Sequence, residues 1–477
     1  MRGDLSSRVW LAAVLSVTAQ SSMANVTPMP STSLSETTAA ISSNPSLSTV
    51  QAVSVEPATV LSLADALRYA AAYPRAEQHM LMARQQLRQA ALLNSQQRPN
   101  PELSFDMAGL RRTGDQEVTQ SFSLSQKIDL FGTRSAQQRL TQLQLEAEQF
   151  NQNLYPQALA LAVKAAYQQV VLAEQALKLA QEQQQLSQQS LDVAQKRVQA
   201  GRTAEIEATR LAIQHRAINA DLSQAQATHQ LARQQLSLYW GNPNPQFLQT
   251  TGTSAWPNWS RAALDVQLAQ DPQQIIANYA LQQSAAQLDL AQRQRYGAPT
   301  VSFGIENNQS ANGSSAQVLL GVSMPLPIFS QNQASVIAAQ AAQSLAQSQA
   351  QISQRQRQRV VYRLWQQQQN IISQYHSLQA EQIPLAKTVQ QKMLIGFEAG
   401  KFSVLEVQQA QQDVLQRQQQ AQQLLVAGWE IVLRLEAIFA GLPIDSNLSD
   451  PSFIDNLYLN QAQDGYADAA GWSGVTP

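Results

Sequence analysis

Glu207 and Glu406 stand 199 positions apart, each a few residues past an Ala-Gly-basic triplet, Ala200-Gly201-Arg202 and Ala399-Gly400-Lys401. Carboxylates at matching points of two equivalent elements attract cations, and repeated around a pore axis they select cations and narrow the opening. Taken singly, they read as solvated helix positions or partners in an ion pair. The histidines are His79, His215, His229 and His376. His215 and His229 are two heptads apart and share a helix face, yet no carboxylate cluster accompanies them. That is a poor metal set, and a solvated face is the expectation. The chain has no cysteine, which removes disulfides, thiolate ligands and thiol nucleophiles. Gly201 and Gly400 are isolated, so no phosphate loop is present. No nucleophile–base constellation occurs. The expectation is a protein that is not an enzyme and carries no cofactor and no metal site.

The composition says what kind of elements would hold such carboxylates. Across 477 residues only 14% are charged and the net charge is -1, low beside the usual quarter or so. Nothing global points to nucleic acid. Gln, Ala, Leu and Ser fill the gap, as in long helices with neutral polar faces. Residues 1–24 carry Arg2 and Arg8, the apolar run VWLAAVLSV and the small-x-small triplet Ser22-Met23-Ala24. This reads as a secretory signal cleaved after Ala24. No run of about 18 apolar residues follows, so no membrane helix is expected, although strands remain possible. Residues 25–60, rich in Ser, Thr, Pro and Val, read as a flexible tail.

From Leu61 the sequence repeats. Pro101–Phe105 (PELSF) recurs as Pro299–Phe303 (PTVSF), 198 positions on, and Leu130-Phe131 recurs as Ile328-Phe329 at the same spacing. The Ala-Gly-basic triplets are 199 apart, and Trp240-Gly241-x-Pro243 recurs as Ala440-Gly441-x-Pro443, 200 on. A tandem duplication follows, with repeats at 61–243 and 259–443, a linker at 244–258 and a tail at 444–477. Each repeat runs helix, strand, loop, strand, very long helix, glycine turn, shorter helix. The strands alternate: Val118, Phe122 and Leu124 face away from Thr119, Ser121 and Ser123, and Phe303, Ile305, Leu320 and Val322 stand on one face in the second repeat. The loops are read at 109–117 and 307–315. Strands of 8–11 residues have the length a tilted membrane strand needs. A small soluble hairpin is the plainer alternative. Four strands do not close a membrane barrel, and an open edge in lipid is not tolerated. Three chains pooling four strands each would make twelve.

The long helices are read at 133–199 and 331–399, on the order of 100 Å each. Leu159, Val163, Ala166, Val170, Ala173, Leu177 and Ala180 follow a coiled-coil spacing. Leu211, Ile218, Leu222, Ala225, Ala232 and Leu236 continue it in the returning helix. Pro156 and Pro384 should kink or unwind the long helices. Helices of about 24 and about 38 residues, stacked end to end, match one long helix in length.

The junctions QKIDLFGTR (126–134) and MPLPIFSQNQAS (324–335), the duplication and the second turn FEAGKFSVLEVQQAQQDVL (397–415) resemble the TolC family of outer-membrane efflux channels. They are most similar to its cobalt–zinc–cadmium branch, over roughly 61–443. The resemblance implies a mainly α fold with membrane β-hairpins. Duplicated coiled-coil helices would form an α-helical barrel on a twelve-stranded, homotrimeric β-barrel. It implies a passive outer-membrane duct of a Gram-negative bacterium with a long periplasmic extension, working with a periplasmic adaptor and an inner-membrane RND-type pump. Divalent heavy-metal cations are the implied cargo. A multidrug or type I protein-secretion duct shares the architecture, and a periplasmic coiled-coil adaptor is the rival without a barrel. By resemblance Glu406 and Gln409 fall where the family carries constriction aspartates, with Glu207 as the first repeat's counterpart. The turns Gly201-Arg202 and Gly400-Lys401 would touch the adaptor. Phe131, Gly132, Pro325, Pro327 and Phe329 would mark the barrel-to-helix junctions. Thr133 and Ser330 are the expected helix caps.

Overall fold

Gln- and Ala-rich stretches fold as very long helices, and the two alternating stretches of each repeat fold as antiparallel strands. The computed structural model describes residues 60–109, 118–253, 255–310 and 313–446, with Leu448, Phe453 and Leu457. The expected signal, the tail to residue 59, the loop at 110–117 and most of the tail after 444 lie outside the described residues.

The elements run β1 (Val60–Leu61), α1 (Leu63–Ala72), α2 (Ala76–Gln96), β2 (Glu102–Ala108), β3 (Val118–Lys127), α3 (Thr133–Gln199), α4 (Glu205–Leu238) and β4 (Gln249–Thr250). They continue α5 (Arg261–Ala269), α6 (Pro272–Arg293), β5 (Thr300–Ser310), β6 (Gly313–Ser323), α7 (Gln333–Ser377), a π-helical turn (Leu378–Gln382), α8 (Ile383–Glu398) and α9 (Val404–Phe439). The order from α1 to α4 recurs from α5 to α9. Ser62 and Ser260, 198 apart, cap α1 and α5 alike, each hydroxyl accepting a backbone N–H three residues on.

Three expectations change. First, α3 runs unbroken for 67 residues through Pro156, whereas the second long helix is interrupted by the π turn just before Pro384. The spacing between repeats rises from 198 at the strand–helix junction to 199 at the far turn, so the second repeat carries one extra residue in this helix. A one-residue excess is what a π turn absorbs. Second, the loop read at 307–315 is mostly strand, because β5 continues to Ser310 and β6 starts at Gly313. Polar Asn307–Gln309 pair with Ser314–Ala316, so alternation of hydrophobicity was too narrow a criterion. Third, the middle of α3 is no narrow seam. Ala158, Leu161, Val163, Ala165, Tyr167, Val170 and Leu172 are all buried, since α1, α4, α9 and β4 surround this stretch. Leu448 is buried there too, with Phe453 and Leu457 packed against the same cluster.

The heptad pattern is clearest in α9. Val404, Gln411, Gln418, Leu425 and Val432 recur every seven residues and are all buried. The seam changes chemistry along its length. Near the far turn it is polar, with Gln411 Nε2 donating to Ser190 Oγ (2.5 Å) and Gln183 Nε2 to Gln418 Oε1 (2.5 Å). Nearer the middle it is apolar, and Lys164 crosses to Glu436 at 2.6 Å.

The short helices stack end to end. In the first repeat Arg75, at the start of α2, donates to the Tyr239 carbonyl at the end of α4 (2.6 Å). In the second, Gln273 Nε2 donates to the Gly441 carbonyl beyond α9 (2.5 Å). There Arg357 of α7 pairs with Asp271 at 2.5 Å, both almost fully buried, and it also donates to the carbonyls of Ile438 and Leu442. The positions equivalent to Asp271 and Arg357 in the first repeat, 198 residues earlier, are Tyr73 and Leu159.

The linker read at 244–258 is a belt across the long helices. β4 pairs in parallel with β1, Glu174 accepts from the Thr250 backbone and hydroxyl (2.9 and 2.8 Å), and Gln368 Nε2 donates to the Pro257 carbonyl (2.7 Å).

Candidate functional site

Both far turns end in the same way. After α3, Gly201 (φ +66°) donates to the Val198 carbonyl and Arg202 to that of Arg197, each at 2.9 Å. After α8, Gly400 (φ +77°) donates to Phe397 (2.9 Å) and Lys401 to Gly396 (2.8 Å). These are paired Schellman closures, whose left-handed residue is accessible to glycine at little cost. The turns are braced together: Arg197 lies 4.5 Å from the centre of the Phe397 ring and donates to its carbonyl. Phe397 is 1% exposed, in a cluster with Leu191, Leu211, Val404 and Val407. That cluster holds the starts of α4 and α9 at one end of the molecule. Arg202 and Lys401 are exposed there.

Glu207 and Glu406 occupy the third position of α4 and α9, but their surroundings differ. Ser403 caps α9, and Glu406 Oε2 accepts from the Ser403 backbone N–H (2.7 Å) and hydroxyl (2.8 Å), completing a capping box. Those two bonds, the backbone one first, hold the exposed Glu406 carboxyl below its ordinary pKa, so it carries its charge. Ala204 precedes α4 and offers no side-chain cap. Gln409 is exposed one turn beyond Glu406.

At the opposite end β2, β3, β5 and β6 form one antiparallel sheet in that order. The register puts Leu103, Leu124, Phe303 and Leu320 in one row and Phe105, Phe122, Ile305 and Val318 in the next. All eight are exposed, from 49% at Leu124 to 77% at Leu320. The other face carries Ser104, Ser123, Gly304 and Leu319 in one row and Asp106, Ser121, Glu306 and Gln317 in another. In these rows one face is continuously apolar and the other is polar except for Leu319.

The junctions correct the expected caps. Thr133 is the first helical residue, not the cap. Asp129 supplies the cap, accepting from the backbone of Thr133 (3.0 Å) and Arg134 (2.9 Å) and from the Thr133 hydroxyl (2.9 Å). Burial works to raise the Asp129 carboxyl, but the donors from Arg134 and Thr133 outweigh it and leave it below its usual value. Gly132 adopts φ +70°, and Phe131 stacks on Tyr296 at 4.9 Å. In the second junction Asn332 (φ +58°), not Ser330, precedes the helix, and its Nδ2 donates to the Ala291 carbonyl (3.0 Å). The first strand end passes into a capped, stacked junction. The second, with Pro325 and Pro327, leaves Phe329 95% exposed.

The solvated-face reading fails for His229. It is 9% exposed and lies 3.7 Å from Glu174, the residue that holds Thr250 of the belt. Burial first, and Arg233 after it, pull its pKa down against the opposing Glu174 charge. Its partner is 55 positions away in sequence, beyond the reach of any helix-face argument. Among the described residues no group of three or more His, Cys, Asp or Glu could hold a metal ion, and no helix is long and apolar enough to cross a membrane.

No family model matches the chain. The cobalt-zinc-cadmium resistance protein CzcC of Cupriavidus metallidurans is 27% identical over 322 residues, covering 67% of this chain and 75% of that protein. Among solved structures, the transmembrane channel CusC superposes with a TM-score of 0.66 at 18% identity, over 80% of this chain and 92% of its own. The chain shares the fold of this channel. The outer-membrane channel OprN gives 0.63 at 17% identity over 80% and 90% of the two chains. The outer membrane protein VceC from Vibrio cholerae gives 0.62 at 15% over 80% and 97%. That shared fold orders the surfaces just described: an apolar-faced sheet at one end, a long helical body, and paired glycine turns at the other end.

Proposed function

We propose that this chain is the outer-membrane exit duct of a tripartite efflux system, passively conducting divalent heavy-metal cations from a periplasmic adaptor and inner-membrane pump to the exterior. The four-stranded sheet carries the reading. Its one face is apolar and uncovered, its other face is mainly polar, and its outer strands β2 and β6 pair on one side only. In lipid such a sheet must find partners for its edges, and three copies meet that requirement with twelve strands around a polar lumen. Phe122, Leu124, Phe303, Ile305, Leu320 and Val322 then face lipid, and Phe131, Gly132, Pro325, Pro327 and Phe329 mark the membrane boundary. The paired repeats, 61–243 and 259–443, supply the helical tunnel. At its far end Glu406, Gln409 and Glu207 line the constriction, and Gly201-Arg202 and Gly400-Lys401 meet the adaptor. The metal cargo rests on the likeness to the cobalt-zinc-cadmium resistance protein.

Deleting the gene and measuring growth on zinc, cobalt, cadmium, copper and common drugs tests the cargo. Sensitisation to the divalent metals is expected. Sensitisation to drugs alone contradicts it.

A further inference from the structure

The passage from strand to long helix is built twice, and the first copy gathers positive charge around a hollow. A cavity of about 1070 Å³ lies there, walled by the ends of α2, β3 and α6 and by the start of α3. Arg98, Lys127 and Arg134 line it. Arg134 is half-buried, and Arg98 and Lys127 are exposed. Among the described residues no carboxylate pairs with any of the three. The one carboxylate in the lining, Asp129, already accepts from the backbone of Thr133 and Arg134. Asn94 and Gln137 add side-chain amides to the wall.

The duplication supplies an internal control. Shifted by 198 positions, Arg98, Lys127 and Arg134 become Tyr296, Pro325 and Asn332, yet the second passage still leads from β6 into α7. The fold therefore does not require the three cations. Like charges collected around one cleft repel each other and focus a positive field into it. A guanidinium meets phosphate or carboxylate oxygens through paired hydrogen bonds, and an ammonium adds a point charge. Lys127 ends β3 opposite Thr300. Alternation along the strand sets it on the face of Ser123 and Ser125, away from the apolar rows. A soluble ligand suits that side better than a lipid headgroup.

We infer that this cavity binds a soluble anion carrying two or more phosphate or carboxylate groups, held by Arg98, Lys127 and Arg134. All its walls belong to one chain, so the site does not depend on the exit-duct reading. Once seated, the anion turns its outer oxygens to the polar side and offsets the charge of the three cations.

Pyrophosphate is the probe. The full chain, extracted in detergent, is titrated with it by calorimetry at constant ionic strength, and the melting temperature is followed in the same series. Saturable binding and a rising melting temperature are expected, because a ligand held only by the folded chain stabilises it. Arg134→Gln should weaken binding about tenfold or more, the loss of one charge-assisted contact. Combining it with Arg98→Gln and Lys127→Gln should abolish saturation. Without pyrophosphate these variants should melt as the parent does, since the second passage folds without such charges. Arg139→Gln, exposed on α3 and outside the lining, should bind as the parent does. No binding by the parent overturns the site, as does binding that survives the loss of all three cations or falls equally with Arg139→Gln. Phosphatidylglycerol in mixed micelles that binds through the same three residues, with no response to pyrophosphate, overturns the soluble ligand in favour of a lipid headgroup. A chain that forms no channel but binds pyrophosphate through Arg134 keeps the site and overturns the exit-duct reading alone.

Discussion

The two repeats build the same joint from different materials. Where α2 meets α4, the Tyr73 ring lies beside Gly241, Leu159 stands at the position equivalent to Arg357, and Arg75 ties the helix ends together. Where α6 meets α9, a buried Asp271–Arg357 pair does so, with Arg357 also gathering two backbone carbonyls. The backbone solution is common, down to the glycine turns at 241 and 441. One join is tied by the Arg75 guanidinium on the Tyr239 carbonyl. The other relies on an ion pair whose members are costly to bury unless both are present. A duplicated chain can therefore keep one architecture while its halves diverge in how they fail.

The sharpest way to break the comparison is Arg357→Leu, which leaves Asp271 buried alone and should cost ~3–5 kcal/mol, read as a lowered denaturation midpoint in detergent. Adding Asp271→Tyr installs the first repeat's residues in the second and should recover at least half of that loss. No recovery would mean the two joints are not interchangeable. Next come the two faces of the sheet. Leu124→Lys on the apolar face should cost ~2–4 kcal/mol if that face meets lipid and reduce the amount recovered in outer membranes. Ser123→Lys on the polar face should insert normally. Equal loss from both would contradict an apolar outer face. Smaller still is the capping difference: Ser403→Ala should cost about 1 kcal/mol, and Ala204→Ser, which gives the first repeat the same cap, should recover a fraction of that in α4. The smallest effect concerns the belt. The folded chain holds the His229 pKa low, so the unfolded chain takes up the proton first. Stability should fall as pH drops below the unfolded value of about 6.5. His229→Gln should flatten that fall in melting temperature between pH 7 and 5, and an unchanged slope would clear His229 of the role.

Much of the fold was legible because its signals are local and repeated. The glycine turns, the 67 helical residues from Thr133 and the alternation in β3 and β5 needed no partner to be read. The π turn was written in the sequence as well, as the drift of the repeat spacing from 198 to 199, but only the backbone shows where the extra residue is absorbed. The features that escaped depend on distant groups. Asp129 takes the cap because its side chain reaches forward to two amides, which displaces the expected Thr133. Arg357 and Asp271 are 86 positions apart, and His229 is buried by a belt that no periodicity announces. At the candidate site, the equivalence of Glu207 and Glu406 could be read from spacing. That only Glu406 completes a capping box follows from a single difference, Ser403 against Ala204.

The central claim, that several copies form an open duct through a membrane, is tested most directly by conductance of the purified chain in planar lipid bilayers. Discrete, ohmic steps that require no nucleotide or ion gradient are predicted, with cations carrying most of the current. A protein that stays in the soluble fraction, or that leaves bilayers electrically silent while folded, would contradict the account.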